Sequence, residues 1–299
     1  MTETWRARRR ASPKKRDVSP LVLTFAFVAL FLVHWQASVF LQTFFLHRYG
    51  AHRQFTMSKG WERTFHLLTF LVQGPSYLNP RAYAILHRMH HAYSDTPQDP
   101  HSPTHQPNFF AMMWRTKIQY EDVKYRRVPV DPRFDGRTPE WPLLDEKLSN
   151  MKIAVAWGTA YALFYLAFAP HWWLLALLPF HWLMGPVHGA IVNWAGHKVG
   201  YRNFDSDDNS KNTLVFDVLT MGELFQNNHH KFGQSPNFAV RTFEIDPAYQ
   251  IMRVFDALGI IDMSGAQKSR WERPESGAAR PAAPHVPAAL ALPAPQDAP

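Results

Sequence analysis

The sequence predicts an all-α integral membrane protein, in which a bundle of membrane helices carries a helical cap on one side of the bilayer. Three observations predict this class. Long apolar stretches recur along the chain, the segments between them are polar, and the mean hydropathy of −0.29 is low for a chain buried entirely in lipid. A membrane-anchored enzyme fits this combination better than a channel or transporter bundle.

The apolar stretches define the membrane segments. The first, Leu21–Leu46, is long enough at about 1.5 Å per residue to cross the roughly 30 Å hydrocarbon core, and it lacks the small-residue cleavage site of a signal peptide. Residues 151–169 and 172–194 predict two further spans, joined as a hairpin by a tight turn. Residues 61–78 are apolar but short and end in a Gly-Pro break. They predict a re-entrant or interfacial helix.

The two ends of the chain differ from the membrane domain, which is predicted to comprise residues 19–263. Residues 1–18 predict a basic, disordered arm, and the Pro- and Ala-rich residues 264–299 predict a disordered tail. The formal net charge is +8, and residues 6–16 carry seven Lys or Arg. Because an apolar span follows this run at once, it indicates an anionic membrane surface and no nucleic-acid partner.

The chain has no cysteine but 16 histidines, and half of these fall in four short motifs. The absence of cysteine excludes disulfides, zinc–thiolate sites and cysteine-bound iron–sulfur clusters. Each histidine motif lies at or just past the end of an apolar segment. The motifs are "HRYGAH" with His47 and His52, "HRMHH" with His87, His90 and His91, "NWAGH" with Asn193 and His197, and "QNNHH" with Gln226, His229 and His230.

The spacing within the motifs predicts metal binding. Residues three and four apart share one helix face, so the three rings of "HRMHH" are predicted to point at one object. His47 and His52, five apart, do not align on a regular helix, so we expect the helix end to unwind there. The other histidines are not expected to be ligands; these are His34, His66, His101, His105, His171, His181, His188 and His285.

Eight imidazoles exceed what one ion with four to six ligands can accept, so the pattern predicts two metal ions. Nitrogen ligation suits zinc, copper, iron or nickel. A zinc site with this many ligands and no carboxylate base would be closed and structural. Two irons beside a bilayer indicate oxygen chemistry on a lipid.

The spacings HX4H, HX2HH and X2HH, in this order, resemble those of the membrane fatty acid desaturases, specifically the acyl-CoA (stearoyl-CoA-like) type. The resemblance covers about residues 20–262 and extends through "NWAGHKVGYRNF", "GELFQNNHHKFGQSPNF" and "FEIDPAYQIMRVFDALGII". It implies a cap that carries a histidine-rich di-iron site. The implied iron ligands are His47, His52, His87, His90, His91, His197, His229 and His230.

The resemblance also implies roles for two amides. Asn193 matches the position that holds a metal-bound water. The family usually has histidine where this chain has Gln226, so Gln226 is an uncertain ligand that either acts through water or leaves an open coordination position. No catalytic residue is expected beyond the metal centre.

The implied reaction is the O2-dependent introduction of a cis double bond into a fatty acyl chain carried by CoA or by a lipid. Two electrons per turnover must come from outside, because the chain shows no flavin or haem motif. The expected partner is a ferredoxin-like or cytochrome-b-type carrier. A related di-iron hydroxylase or ketolase is the first alternative. A histidine-rich metal transporter is the second, although a transporter is expected to bind its metal near the middle of the membrane.

Two sets of charged residues are candidates for supporting roles. Asp95, Asp99 and Glu223 flank the motifs and are expected either to orient ligating imidazoles or to cap loops. The candidates for an anionic substrate head group, which are alternatively plain exposed cations, are Lys117, Lys124, Arg126 and Arg127.

The predicted location is a membrane crossed several times, the inner membrane of a bacterium or the endoplasmic reticulum of a eukaryote, with the metal site on the cytoplasmic side. A single span at 21–46 sets the basic arm on the opposite side from the histidines, against the positive-inside rule. Two passes split near His34 and Gln36 obey the rule, but each half has only about 13 residues and is too short. We therefore predict one long helix.

Overall fold

The computed structural model describes residues 19–270, so the predicted arm at 1–18 and the predicted tail beyond residue 270 lie outside the described residues. The described chain is mostly helical, which confirms the all-α prediction. Its helices are α1 (Pro20–Leu41), α2 (Lys59–Gln73), α3 (Pro80–Tyr93), α4 (Phe109–Lys124), α5 (Met151–Phe168), α6 (Leu178–Trp182), α7 (Met184–Lys198), α8 (Gln226–Lys231) and α9 (Pro247–Ala257).

Shorter elements connect these helices. A π-helix (Gln42–Ala51) continues α1 directly, and a second π-turn (Leu143–Lys147) precedes α5. Gly74–Ser76 forms one 3-10 turn, and Trp172–Leu177 forms a 3-10 helix of six residues. The strands β1 (Thr56–Met57) and β2 (Ile261–Asp262) pair antiparallel.

α1 changes its surroundings along its length. The Ser19 hydroxyl accepts the Leu21 N–H at 3.3 Å, and Pro20 occupies the first turn, where its missing N–H costs no hydrogen bond. From Leu41 to His52 every residue is buried. The first half of α1 instead exposes large apolar side chains, namely Leu21, Val22, Leu23, Phe25, Leu30, Leu32 and Val33.

Within residues 19–270, two continuous helical stretches are long and apolar enough to cross a membrane, Pro20–Ala51 and Met151–Phe168. The predicted third span is broken: Trp172–Trp182 and Met184–Lys198 meet at an angle of 70° and pass the same test only together. Pro186 explains the break, because it has no N–H to donate to the carbonyl one turn earlier.

α2 ends before it can span a bilayer, as its 15 residues fall short of the roughly 20 that a span requires. Its C-cap Gly74 has φ +52°, and a Cβ at this position would lie 2.6 Å from the Tyr161 hydroxyl of α5. Glycine is therefore needed both for the turn and for the close approach of α5. α2 and the Gly-Pro break after it lie in the range for which the sequence predicts a re-entrant or interfacial helix.

A buried ion pair ties the π-helix to the C-terminal part of the chain. Arg48 Nη2 lies 3.0 Å from Asp246 Oδ2, and the side chains of both residues are fully buried. Asp246 also accepts the N–H groups of Phe238 and Tyr249, and so caps α9. The apolar core beside this pair is formed by Leu41, Phe44, Phe45, Leu46, Tyr49, Phe55, Phe65, Met252 and Ile261.

Candidate metal centre

The π-helix places the first two histidines on one face. His52 N–H donates to the His47 carbonyl at 3.0 Å, which is the i to i+5 bond of a π-helix. With this wider turn, residues five apart align, and the two ring centroids lie 4.9 Å apart. The expectation that the helix unwinds at this point is wrong, because the helix widens instead.

Five imidazoles converge beside the π-helix. One ring nitrogen from each lies within 4.8 Å of the others, and these rings belong to His47, His52, His87, His91 and His229. The closest approaches join Nε2 atoms: 2.7 Å between His52 and His87, and 3.0 Å from His229 to both His47 and His91. We call these residues the five-His group.

A second convergence is formed by His90, His197 and His230, again with one nitrogen from each within 4.8 Å of the others. The ring centroids are 5.0 Å apart in each pair. All three Nε2 atoms are buried and have no hydrogen-bond partner among the described residues. We call these residues the three-His group.

Two helices contribute to both groups. On α3, His87 and His91 are one turn apart and join the five-His group, while His90 joins the three-His group. On α8, the neighbours His229 and His230 are divided in the same way. The expectation that all three rings of "HRMHH" address one object is therefore wrong, since that motif lies between two sites.

Carboxylates hold four of these rings from behind. Each contacts an Nδ1 atom, so that the Nε2 lone pair is left to face inward, as in the carboxylate–histidine–metal arrangement. The pairs are His47 with Glu223 at 2.6 Å, His90 with Asp99 at 2.9 Å, His197 with Asp95 at 2.9 Å, and His230 with Asp208.

Sequence reasoning missed Asp208. It lies in the irregular segment between α7 and α8, within an acidic and serine-rich run. Its Oδ1 accepts the hydroxyls of Ser206 and Ser210, each at 2.6 Å, while Oδ2 faces His230. The only signal in the sequence is that run, "DSDDNS", which has no fixed spacing from a histidine motif.

Burial and charge set the protonation states of these groups. Burial by itself raises the pKa of Asp99 and of Glu223, but their imidazole partners outweigh it and lower both pKa values to about 2. Burial, followed by the charge of neighbouring imidazoles, lowers the pKa of His87, His91 and His229 well below the ordinary 6.5. Asp99 and Glu223 are therefore ionised, and His87, His91 and His229 stay neutral, which is the form of imidazole that binds metals.

The two amides named from the sequence lie close to the three-His group. Asn193 is half-buried on α7, one turn before His197. Gln226 is buried, and its Nε2 donates to the Glu223 carbonyl at 2.6 Å. Its Cγ would lie 2.4 Å from a Cβ at Gly196, so the glycine before His197 makes room for this side chain.

His101 adds a ring to this region that was not expected from the sequence. It forms a further close set with His90 and Asp99, again within 4.8 Å. Its backbone N–H donates to Asp99 Oδ1 at 3.0 Å, and burial lowers the pKa of its ring to about 3. His101 thus packs beside the three-His group.

Several other histidines lie outside both imidazole groups and contact other parts of the protein. In the helix bundle, His34 Nδ1 lies 3.2 Å from His181 Nε2, and His181 Nδ1 lies 2.9 Å from the Tyr165 hydroxyl. His66 Nε2 lies 2.9 Å from Asp145. Both nitrogens of the buried His188 have no hydrogen-bond partner among residues 19–270.

The four candidate head-group cations lie along α4 and just after it. Lys117 pairs with Glu121 at 2.8 Å and Arg127 with Asp122 at 3.4 Å. Lys124 is half-buried beside Tyr125, and Arg126 is exposed with φ +54°. Two of the four are therefore paired with carboxylates on α4.

The donor set fits two metal ions. Buried imidazoles with inward Nε2 atoms form both groups, and the three unpartnered Nε2 atoms of the three-His group would be costly to bury without a ligand. Iron, zinc and copper all accept such ligands.

Comparison with known proteins identifies the family. The fatty acid desaturase profile matches residues 20–259. The "Delta-9 desaturase-like 4 protein" of Arabidopsis thaliana is 29% identical over 226 residues, which cover 73% of this chain and 69% of that protein. The "sn-1 stearoyl-lipid 9-desaturase" of Anabaena variabilis is 28% identical over 232 residues, covering 77% and 80%. A hex-5-enoyl-(acyl-carrier protein) acetylenase of Moorena producens is 27% identical over 258 residues, covering 78% and 75%. With a matching profile over most of its length and two convergent imidazole groups, the chain belongs to the fatty acid desaturase family.

Proposed function

We propose that the protein is an O2-dependent di-iron desaturase, an oxidoreductase that introduces a cis double bond into a fatty acyl chain. The observation that carries this proposal is the pair of imidazole groups, in which buried Nε2 atoms converge at two neighbouring points. Membership of the desaturase family supports iron, and zinc, which has no redox chemistry, could not carry out the O2 chemistry that the reaction requires.

The five-His group would hold one iron and the three-His group the other. Bound there, the irons supply the activation of O2 and the oxidation of unactivated C–H bonds. The chain's own residues orient the imidazole rings and exclude bulk water from them. Asp95, Asp99, Glu223 and Asp208 fix the ring orientations from Nδ1. Burial keeps bulk water away from the rings.

The three-His group offers fewer imidazoles than the five-His group, so its ion keeps positions for other ligands. We propose that Asn193 fills one of them through a water molecule, because it lies one helical turn before His197. Gln226 donates its amide N–H to a backbone carbonyl and so keeps its amide oxygen available for a second water.

The substrate is proposed to be a fatty acyl chain on CoA or on a lipid. The names of the relatives mention a stearoyl-lipid and an acyl-carrier protein, so the carrier varies among similar chains. Of the head-group candidates, Lys124 and Arg126 have no carboxylate partner among the described residues and are the better placed to meet an anion.

The proposed setting is a membrane crossed several times, with the metal centre on the cytoplasmic side. Two helices long enough to span support it, and the residues from Leu41 onward leave the lipid-exposed part of α1 for the protein interior. Electrons come from an external ferredoxin-like or cytochrome-b-type carrier.

The test is lipid analysis by mass spectrometry after expression in a host that lacks its own desaturase. We expect new monounsaturated chains with the wild-type protein, none with His90→Ala or His230→Ala, and wild-type levels with His171→Ala, an exposed histidine in the α5–α6 turn. Hydroxylated chains instead would identify a hydroxylase. Tight zinc binding with negligible iron would contradict the proposal.

A further inference from the structure

A cleft opens beside the five-His group and reaches one of its rings. Its volume is about 600 Å³. The lining residues are Ala51, His52, Arg53, Arg88, Arg133, Asp135, Gly136, Arg137 and Gln234. We call it the arginine cleft. No apolar side chain larger than alanine lines it, so it offers no path for an acyl tail.

The arginine cleft carries a positive charge that its own acids do not cancel. Asp135, the acidic residue in its wall, forms an ion pair with Arg81, with contacts of 2.9 and 2.5 Å. Arg133 pairs with Asp131 at 2.8 Å. Three further arginines remain in the wall with no carboxylate contact among the described residues, and these are Arg53, Arg88 and Arg137.

These three arginines are held in different ways. Arg88 donates to the backbone carbonyls of Gly50, Ala51, Phe134 and Gly136 at 2.9 to 3.0 Å, which fixes its charge in the wall. Among the described residues, the Arg53 side chain donates a hydrogen bond to the Arg137 carbonyl alone, and the side chains of Arg53 and Arg137 are exposed. The cleft therefore has a fixed cation at its base and two adaptable cations at its rim.

The position of the arginine cleft suits an aqueous partner. α1 has 22 residues, about 33 Å at 1.5 Å per residue, which already matches the hydrocarbon core. The π-helix and His52 follow beyond that length, so the cleft lies outside the hydrocarbon. Exposed arginines are compatible only with such a position.

We propose that the arginine cleft is the docking site for the electron carrier, and that the carrier presents an acidic face around its redox group. This proposal rests on the proposed function. The cleft reaches the ring of His52, whose Nε2 faces the five-His group. A carrier bound in the cleft would therefore be separated from the nearer metal by one imidazole. Weak electron-transfer encounters use small, charge-complementary contacts, which fits a cleft of this size.

The electron balance requires such a partner. For each double bond, O2 accepts four electrons and four protons to give two water molecules. Two electrons and two protons come from the two C–H bonds of the substrate. The remaining two electrons come from two one-electron oxidations of the carrier, and two protons come from solvent.

The test uses the iron-loaded protein in lipid nanodiscs and two acidic probes, a plant-type ferredoxin and the soluble haem domain of a b-type cytochrome. Binding is measured by biolayer interferometry, and reduction of the oxidised centre by stopped-flow absorbance, each at low and at physiological ionic strength. The variants are Arg137→Glu and Arg53→Glu. The matched control is Arg253→Glu, an exposed arginine on α9 that does not line the cleft.

We expect each reversal in the cleft to weaken carrier binding and to slow reduction by about tenfold at low ionic strength, with a flatter salt dependence. Iron content and reduction by dithionite, a small reductant, should stay at wild-type values. Arg253→Glu should behave as wild type.

Three results would overturn the proposal: wild-type carrier binding and reduction in both cleft variants, failure of both carriers to bind the wild-type protein, or a raised KM for the acyl substrate with unchanged reduction. The last would assign the cleft to an anionic head group. If carriers reduce the wild-type centre but no unsaturated product forms, the proposed function fails, while the reduction rates still decide the docking site.

Discussion

At the scale of single residues, metal binding depends on how each imidazole is oriented. A ring that donates from Nδ1 to a carboxylate can bind a metal only through Nε2, and its orientation is fixed before the metal arrives. In the three-His group every ring has such a partner, and all three partners are aspartates. We therefore expect metal affinity there to depend on residues that never contact the metal.

Asp208→Asn tests this dependence. The amide cannot accept from His230 with a full negative charge, so we expect metal affinity of the three-His group to fall by about tenfold to a hundredfold. Metal bound per protein, measured by elemental analysis after dialysis against a series of chelator concentrations, checks it. The control is Asp205→Asn, an exposed aspartate in the same segment. Equal metal retention in both variants would show that Asp208 has no orienting role.

Removing the metal should expose a pH dependence of stability. In the metal-free fold, the pKa values of His87, His91 and His229 are lowered, so these rings stay neutral where the unfolded chain takes up protons. Their contribution is complete above the unfolded pKa of about 6.5 and is lost as the pH falls below it. His90 opposes this trend, because Asp99 outweighs burial and raises its pKa.

Lowered pKa values, which His52, His101 and His230 also have, outnumber the one raised value and give a net sign. We expect the thermal midpoint of the metal-free protein in detergent to fall between about pH 7.5 and about pH 5.5. Scanning fluorimetry over this range checks the direction, and the metal-loaded protein at the upper pH provides the reference. A midpoint that rises on acidification would contradict the lowered pKa values of these rings.

At the scale of elements, the π-helix decides whether the five-His group exists. Its i to i+5 bonds bring His47 and His52 to one face, whereas an α-helix would rotate them apart by well over a quarter turn. Burial of every residue from Leu41 to His52 and the Arg48–Asp246 pair hold this segment in its wider form. The geometry is thus imposed by tertiary contacts as well as by local sequence.

Insertion of one alanine after Ala51 tests the π-helix. It moves His52 to the sixth position after His47, which neither a π-helix nor an α-helix brings back to the same face, so its ring no longer faces the other four. We expect iron per protein to fall from two to about one, with the three-His group still loaded. His52→Ala, which removes the ring without shifting the backbone, should give the same loss. Circular dichroism checks that both variants keep their helix content, and retention of two irons by the insertion variant would contradict this reading.

Local spacing explains which parts of the site could be predicted. The i, i+3 and i+4 pattern of "HRMHH" correctly marked its histidines as a set, because helix periodicity depends on neighbours in sequence. The division of that set between two sites depends on α8 and the π-helix, which arrive from distant parts of the chain. Asp208 was missed for the same reason, since its contact with His230 spans an irregular loop.

The membrane segments, too, could be predicted from the sequence only in part. Apolar length marked the first span and the α5 span, and both are long enough in the structure. The 70° break at Leu183 was not predicted, although Pro186 was a visible signal within the apolar run. The mean hydropathy of an apolar run does not change because one proline lacks a backbone N–H. It therefore cannot distinguish one continuous span from two half-helices.

At the scale of the whole molecule, both imidazole groups must lie on one side of the membrane. α1 reaches them from its C-terminal end, and α7 reaches them at His197 after the turn between α5 and α6. That turn is therefore expected on the opposite side from the metal centre.

The absence of cysteine allows a direct test of this topology, because a single introduced thiol is the only one present. We expect Glu140→Cys to be labelled from the cytoplasmic side by a membrane-impermeant maleimide, and His171→Cys from the opposite side. Both positions are exposed. Labelling of both from the same side of sealed vesicles would contradict the arrangement.

The central claim is that eight imidazoles from distant parts of the chain enclose two irons. Anomalous difference density at the iron edge, from crystals of the iron-loaded protein, tests it most directly. We expect two peaks, one within the five-His group and one within the three-His group. A single peak, or iron bound away from these rings, would contradict it.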